Sequence, residues 1–159
     1  MQSLRGRRVL LGISAGVAAY KAAELARGLV KAGAEVQVVM TPAASAFIGS
    51  LTLQAITGNA VRDQLFDEQH EAAMGHIELA RWADVVVVAP ATADLMARLA
   101  CGLANDLLTT VCLATSAPLW LAPAMNQQMW RHSATRANVA RLCERGARLL
   151  GPATGEQAC

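Results

Sequence analysis

Aromatic side chains are scarce in this sequence, at 4% of its 159 residues, whereas alanine recurs throughout. Few rings and many small side chains suit tight helix packing or a subunit interface. No apolar run reaches the ~18 residues of a membrane span, although 54% of the residues are hydrophobic. The basic opening MQSLRGRR leads into a strand and a glycine turn, without the apolar segment and cleavage site of a signal peptide. No basic face argues for nucleic acid, because the net charge is +2 and the charges are interspersed. The four cysteines (Cys101, Cys112, Cys143 and Cys159) form no CxxC pair, and no histidine stands at metal spacing. These absences lead us to expect a reduced, cytoplasmic, metal-free protein. The length suits one domain with a sizeable core.

What is present is organised around residues 8–21, RVLLGISAGVAAYK. Val9-Leu10-Leu11 is a short apolar run ending in Gly12, with Gly16 four residues on, and helical residue types run from Val17 to about Ala32. Strand, glycine-bearing turn and helix together aim helix N–H groups at a phosphate. Residues 36–40 read as a second, parallel strand. At its end stand Met40 and Thr41, where a dinucleotide fold places an acidic residue for the ribose. That speaks against NAD and leaves room for a phosphate or a flavin.

Further along, short helices are expected over 43–58 and an edge strand over 61–66. A helix follows Gly75, and residues 85–90 are the clearest buried parallel strand. Helices are expected over 95–101, ended by Gly102, and from an Asn105-Asp106 cap to about Ala114. Strands at 119–122 and 147–150 flank a helix over 133–145 that has a basic outer face. The expected architecture is a single α/β domain, a doubly wound and mostly parallel sheet. Its ligand would lie outside the carboxyl ends of the strands, at residues 12–17, 40–42, 89–95 and 123–126.

Several residues carry competing readings. Gly12-Ile13-Ser14-Ala15-Gly16 matches the G-x-S-x-G of serine hydrolases, in which His132 would be the triad histidine, though nothing else in its neighbourhood supports that role. That elbow belongs to a mid-sheet strand, however, and this one opens the chain. As a phosphate cradle the loop offers the Ser14 hydroxyl and N–H groups; as a plain strand-to-helix turn it offers nothing. His76 falls in a helix's first turn, where the dipole disfavours an imidazolium and suits a proton acceptor, or it is merely a surface histidine. Asn126 either binds a carboxylate through its NH₂ or caps a helix. Cys101, Cys112 and Cys143 read as buried small hydrophobes, and Cys159, after a run rich in glycine and small residues, as an accessible thiol.

GISAGVAAYK, AAMGHIELARWADVVVVAPATADLMARLACGLANDLLTT, PAMNQQMW and GPATGEQAC, in that order, resemble the flavin-dependent cysteine decarboxylases over essentially the whole chain. The resemblance implies a Rossmann-like, flavodoxin-type fold that binds FMN. It implies homotrimers, often packed into dodecamers, with active sites between subunits. By the same resemblance Gly12, Ser14, Gly16, Val17 and Ala18 would form the phosphate loop. Thr41, Thr92, Ala93, Asp94, Leu95 and Met125 would surround the flavin. His76 would be the catalytic histidine, Asn126 would bind the substrate carboxylate beside Met129, and Cys159 on a mobile flap would be the proton donor.

The implied reaction takes 4′-phospho-N-pantothenoylcysteine to 4′-phosphopantetheine in coenzyme A biosynthesis. The cysteine thiol is oxidised to a thioaldehyde, CO₂ leaves, and the ene-thiol is reduced again. Other readings are a peptidyl-cysteine decarboxylase, a flavin prenyltransferase (which should lack PAMN and the terminal cysteine motif) or a non-catalytic FMN-binding module. Bacterial chains of this family continue into a CTP-dependent ligase domain. Residues 1–159 are therefore expected to be the decarboxylase part of a bifunctional chain.

Overall fold

A computed structural model describes residues 3–66 and 75–152. Five strands pair in parallel in the order β2-β1-β3-β4-β5. They are β1 (Arg8–Ile13), β2 (Glu35–Met40), β3 (Val85–Ala91), β4 (Leu119–Pro123) and β5 (Arg148–Leu149). Parallel neighbours require crossovers. Among the described residues, α1 (Lys21–Lys31) joins β1 to β2, and α2 (Ser50–Thr57) and α3 (His76–Trp82) lie between β2 and β3. Next, α4 (Ala93–Cys101) and α5 (Leu107–Ala114) lead to β4, and α6 (Gln127–Arg131) and α7 (Ser133–Glu144) to β5. No helix among the described residues is long and apolar enough to cross a membrane. The expected doubly wound α/β sheet is thus the observed one. Its strand order turns around at the β1/β3 boundary, where such sheets open a crevice at the carboxyl edge.

Both faces of the sheet are buried, and β1 shows why its sequence is continuously apolar. Val9, Leu11 and Ile13 face α1 and α2, together with Val36, Val38 and Leu53, while Leu10 faces the opposite cluster with Val86, Val88, Leu95, Leu108 and Leu121. Ala19, Ala22 and Ala26 are at most 2% exposed, so small side chains bring the first helical segment close to the sheet. Gly12 lies inside β1, not in the loop after it. A Cβ there would stand 2.5 Å from Leu108 Cδ1 and 3.3 Å from Val88 Cγ2. This glycine makes room for α5 to pack on the strand.

Other expectations shift in detail. The helix read from Val17 is two segments, a 3-10 turn (Val17–Tyr20) and then α1. Residues 61–66 form no edge strand; Arg62 makes one isolated parallel bridge to Val39. Phe66 is 86% exposed, so this segment lacks an apolar row to lay against the sheet. The short helix α6 went unread. Cys101 and Cys143 are exposed, contrary to the expectation of burial; only Cys112 is partly buried among the three. Burial pushes the Cys112 thiol up to about 12, which leaves it inert at neutral pH.

The start of α5 is held by the expected cap in an elaborated form. Asp106 Oδ1 accepts the Thr109 N–H at 2.8 Å, while Thr109 Oγ1 accepts the Asp106 N–H at 3.2 Å. Arg98 of α4 donates to Asp106 Oδ2 at 2.6 Å and to Asp94 Oδ2 at 3.0 Å, tying two helix starts together. Burial pushes the Asp106 carboxyl up, but the Thr109 N–H, the Arg98 guanidinium and the Thr109 hydroxyl outweigh it and hold it below the usual carboxylate range.

Two outcomes follow from this packing. Gly12→Ala should lower stability by about 1–3 kcal/mol through overpacking against Leu108, with Leu108→Val in the same chain restoring part of the loss; urea denaturation of the single and double variants checks this. Because the folded-state carboxyl of Asp106 is depressed, its contribution is present above the unfolded pKa and is lost as pH falls from there through the folded value. Asp106→Asn should therefore cost stability at neutral pH and flatten the acid limb of a stability–pH curve, both visible in melts between neutral and strongly acidic buffer.

Candidate active site at the carboxyl edge of the sheet

The four loops at this edge are laced together by hydrogen bonds. The Thr41 N–H donates to Ile13 O at 2.9 Å, joining the ends of β2 and β1. The Ser14 N–H donates to Pro90 O at 3.3 Å, joining β1 to β3, and the Ala124 N–H donates to Ala91 O at 3.1 Å, joining β4 to β3. The first loop carries more than this backbone contact. Ser14 Oγ donates to Pro90 O at 2.6 Å and accepts the Thr92 N–H at 3.1 Å. Ser14 is 1% exposed. A buried hydroxyl bonded in this way is no nucleophile. His132 caps α7, its Nδ1 accepting the Ala134 N–H at 3.1 Å. The hydrolase reading of G-x-S-x-G is therefore excluded.

The loop after β1 then bends through Gly16 into the 3-10 turn. The N–H groups of Val17 and Ala18 open that turn and have no partner within it. Val17 is half exposed, and a Cβ on Gly16 would come within 3.3 Å of Thr92 Cγ2, so the two loops are in near contact. Across β1, Thr41 is 4% exposed, and its Oγ1 is buried with no hydrogen-bond partner among the described residues. A buried hydroxyl without a partner is costly, and at the end of a strand it marks a place for a ligand. Dipole donors at a helix start and an unused hydroxyl on the neighbouring strand fit a phosphorylated flavin such as FMN.

The next loop is built differently from its reading. Thr92 is the N-cap of α4, its Oγ1 accepting the Leu95 N–H at 3.2 Å. Leu95 itself is fully buried in the core cluster, and its N–H is taken by the Thr92 hydroxyl. Ala93 is half buried, and Asp94 is exposed and paired with Arg98. Sequence reasoning missed the Pro90 carbonyl, which receives both the N–H and the hydroxyl of Ser14. A backbone acceptor leaves no side-chain signal.

His76 begins α3, after the Gly75 N-cap. The later residue Ala80 accepts from Thr115 Oγ1 at 2.8 Å, beside the loop that enters β4 from the amino edge. The first turn of α3, with half-buried His76, therefore points toward the carboxyl edge. Asn126 is the N-cap of α6, its Oδ1 accepting the Gln128 N–H at 2.7 Å. That bond satisfies the cap reading and uses the amide oxygen, leaving the NH₂ of this exposed residue outside the cap. Met125 packs on the core, and Met129 is 48% exposed on α6. Cys159 lies outside the described residues.

Comparison with known proteins identifies the family. The model of the family described as Flavoprotein matches residues 1–159. The coenzyme A biosynthesis bifunctional protein CoaBC of Vibrio cholerae is 64% identical over 159 residues, which is 100% of this chain and 40% of that protein. The chain spans about 40% of the length of the curated relatives it matches. A PPC decarboxylase mutant complexed with pantothenoylaminoethenethiol superposes with a TM-score of 0.83 at 35% identity, covering 97% of this chain and 86% of that one. The FMN-dependent cysteine decarboxylase SpaF gives 0.83 at 36% identity, covering 92% and 85%. With the family match running from end to end and this sheet beneath it, the chain belongs to the Flavoprotein family.

Proposed function

We propose that this chain is an FMN-dependent decarboxylase acting on 4′-phospho-N-pantothenoylcysteine in coenzyme A biosynthesis, as the decarboxylase part of a longer, cytoplasmic bifunctional protein. The observation that carries this reading is the edge itself: the turn opened by the Val17 and Ala18 N–H groups, an unpartnered buried Thr41 hydroxyl and the Asn126 amide all at the ends of parallel strands. The names of the relatives and of the superposed structures support the substrate class.

The phosphate of FMN would be held by the N–H groups of Val17 and Ala18, with Gly16 allowing close approach. Thr41, Thr92, Ala93 and Met125 would border the rest of the cofactor. When bound, FMN supplies the reversible two-electron oxidation of the substrate thiol that makes loss of CO₂ feasible. The protein's own task is placement. Asn126 Nδ2, left outside the cap, donates to the substrate carboxylate. His76 accepts or returns a proton during the thiol chemistry, and Cys159 protonates the carbon left by CO₂. Met129, exposed beside Asn126, offers an apolar contact for the substrate arm.

Assembly into homotrimers is part of the same reading. Val17, Tyr20, Phe47 and Leu51 are between 46% and 74% exposed, large apolar side chains that follow β1 and β2 on the site's flank. A second subunit there would cover them and close an otherwise open edge.

His76→Asn should abolish CO₂ release from phosphopantothenoylcysteine while leaving bound flavin in place, since the histidine acts on substrate and not on the cofactor. Assay of the purified variant for CO₂ and for flavin absorbance checks both halves. Turnover of a cysteine-ending peptide in place of phosphopantothenoylcysteine would transfer the reading to the peptidyl-cysteine decarboxylases.

A further inference from the structure

We propose that Ser14 is a positioning residue that sets the spacing of the loops on either side of the flavin phosphate, and that it does not donate to the phosphate itself; this rests on the FMN reading above. The directions of its bonds settle where its proton goes. The Pro90 carbonyl can only accept, so the Ser14 hydroxyl hydrogen points to it at 2.6 Å. The Thr92 N–H can only donate, so Ser14 Oγ accepts there at 3.1 Å. With the side chain 1% exposed, no second hydrogen remains for an anion. A phosphate oxygen needs donors, and Ser14 has none left to give.

What the hydroxyl does instead is join two loops. Its own N–H also reaches Pro90 O, so the end of β1 is pinned twice to the end of β3. Through Thr92 the clamp continues to the start of α4, where Thr92 Oγ1 caps the Leu95 N–H. The near contact of Gly16 with the Thr92 methyl then fixes how close the phosphate turn stands to that helix start. Removing one oxygen unties the Thr92 N–H and half of the Pro90 bonding at once. The turn that presents the Val17 and Ala18 N–H groups then keeps only the Ser14 N–H bond to Pro90 O.

The test uses the purified full chain, with Ser14→Ala and the donor-retaining Ser14→Cys. Amide hydrogen exchange is followed at Thr92, and FMN and riboflavin dissociation constants are measured, riboflavin lacking the phosphate. A clamp predicts faster Thr92 exchange in Ser14→Ala together with about tenfold weaker FMN binding, a smaller loss for riboflavin, and partial recovery of both readouts in Ser14→Cys. Unchanged Thr92 exchange, or faster exchange with FMN affinity unaltered, would overturn the proposal. If the wild-type chain binds neither flavin, the FMN reading fails, and Thr92 exchange alone still decides whether the clamp exists.

Discussion

The structure depends on one constraint, the reversal of winding between β1 and β3. From β1 the chain crosses outward to β2 and then returns past β1 to β3, so the loops leaving these neighbours part in opposite directions. Backbone groups at such a parting would go unpaired unless something else bonded them. Here the Ser14 hydroxyl and N–H take the Pro90 carbonyl, the Thr92 N–H takes Ser14, and Thr41 and Ala124 extend the lacing to the outer strands. The crevice is therefore a defined edge of the fold. Much of its floor is satisfied by protein, with the buried Thr41 hydroxyl the exception.

That arrangement separates residues which look equivalent as letters. In GISAG, Gly12 serves the packing of α5, Ser14 the joining of two strands, and Gly16 the close approach of the turn to Thr92. In ATADL, Thr92 caps a helix, Leu95 belongs to the core, and Asp94 belongs to the Arg98 network that also holds Asp106. A short motif thus carries three kinds of physics within five residues.

The fold was largely legible from hydrophobic patterning. Runs such as 85–90 declare a strand buried on both faces, and Gly102 and Asp106 announce a helix end and a helix start. The region over 61–66 misled because its apolar residues have strand-like types without a partner row, and a single bridge at Arg62 is all that forms. Exposure of Cys101 and Cys143 was invisible because helical phase, not residue type, decides which side a cysteine faces. The placing of the four loops on one edge was readable from topology alone. What each polar group does there was not, since Pro90 acts through a carbonyl and Asn126 through the choice of which amide atom it turns inward.

The most direct measurement is the visible absorption spectrum of the purified protein, with any bound chromophore released and identified by chromatography. The account predicts a yellow protein that yields FMN. A colourless protein that also fails to take up added FMN would contradict it, and would return the loop after β1 to a purely structural turn.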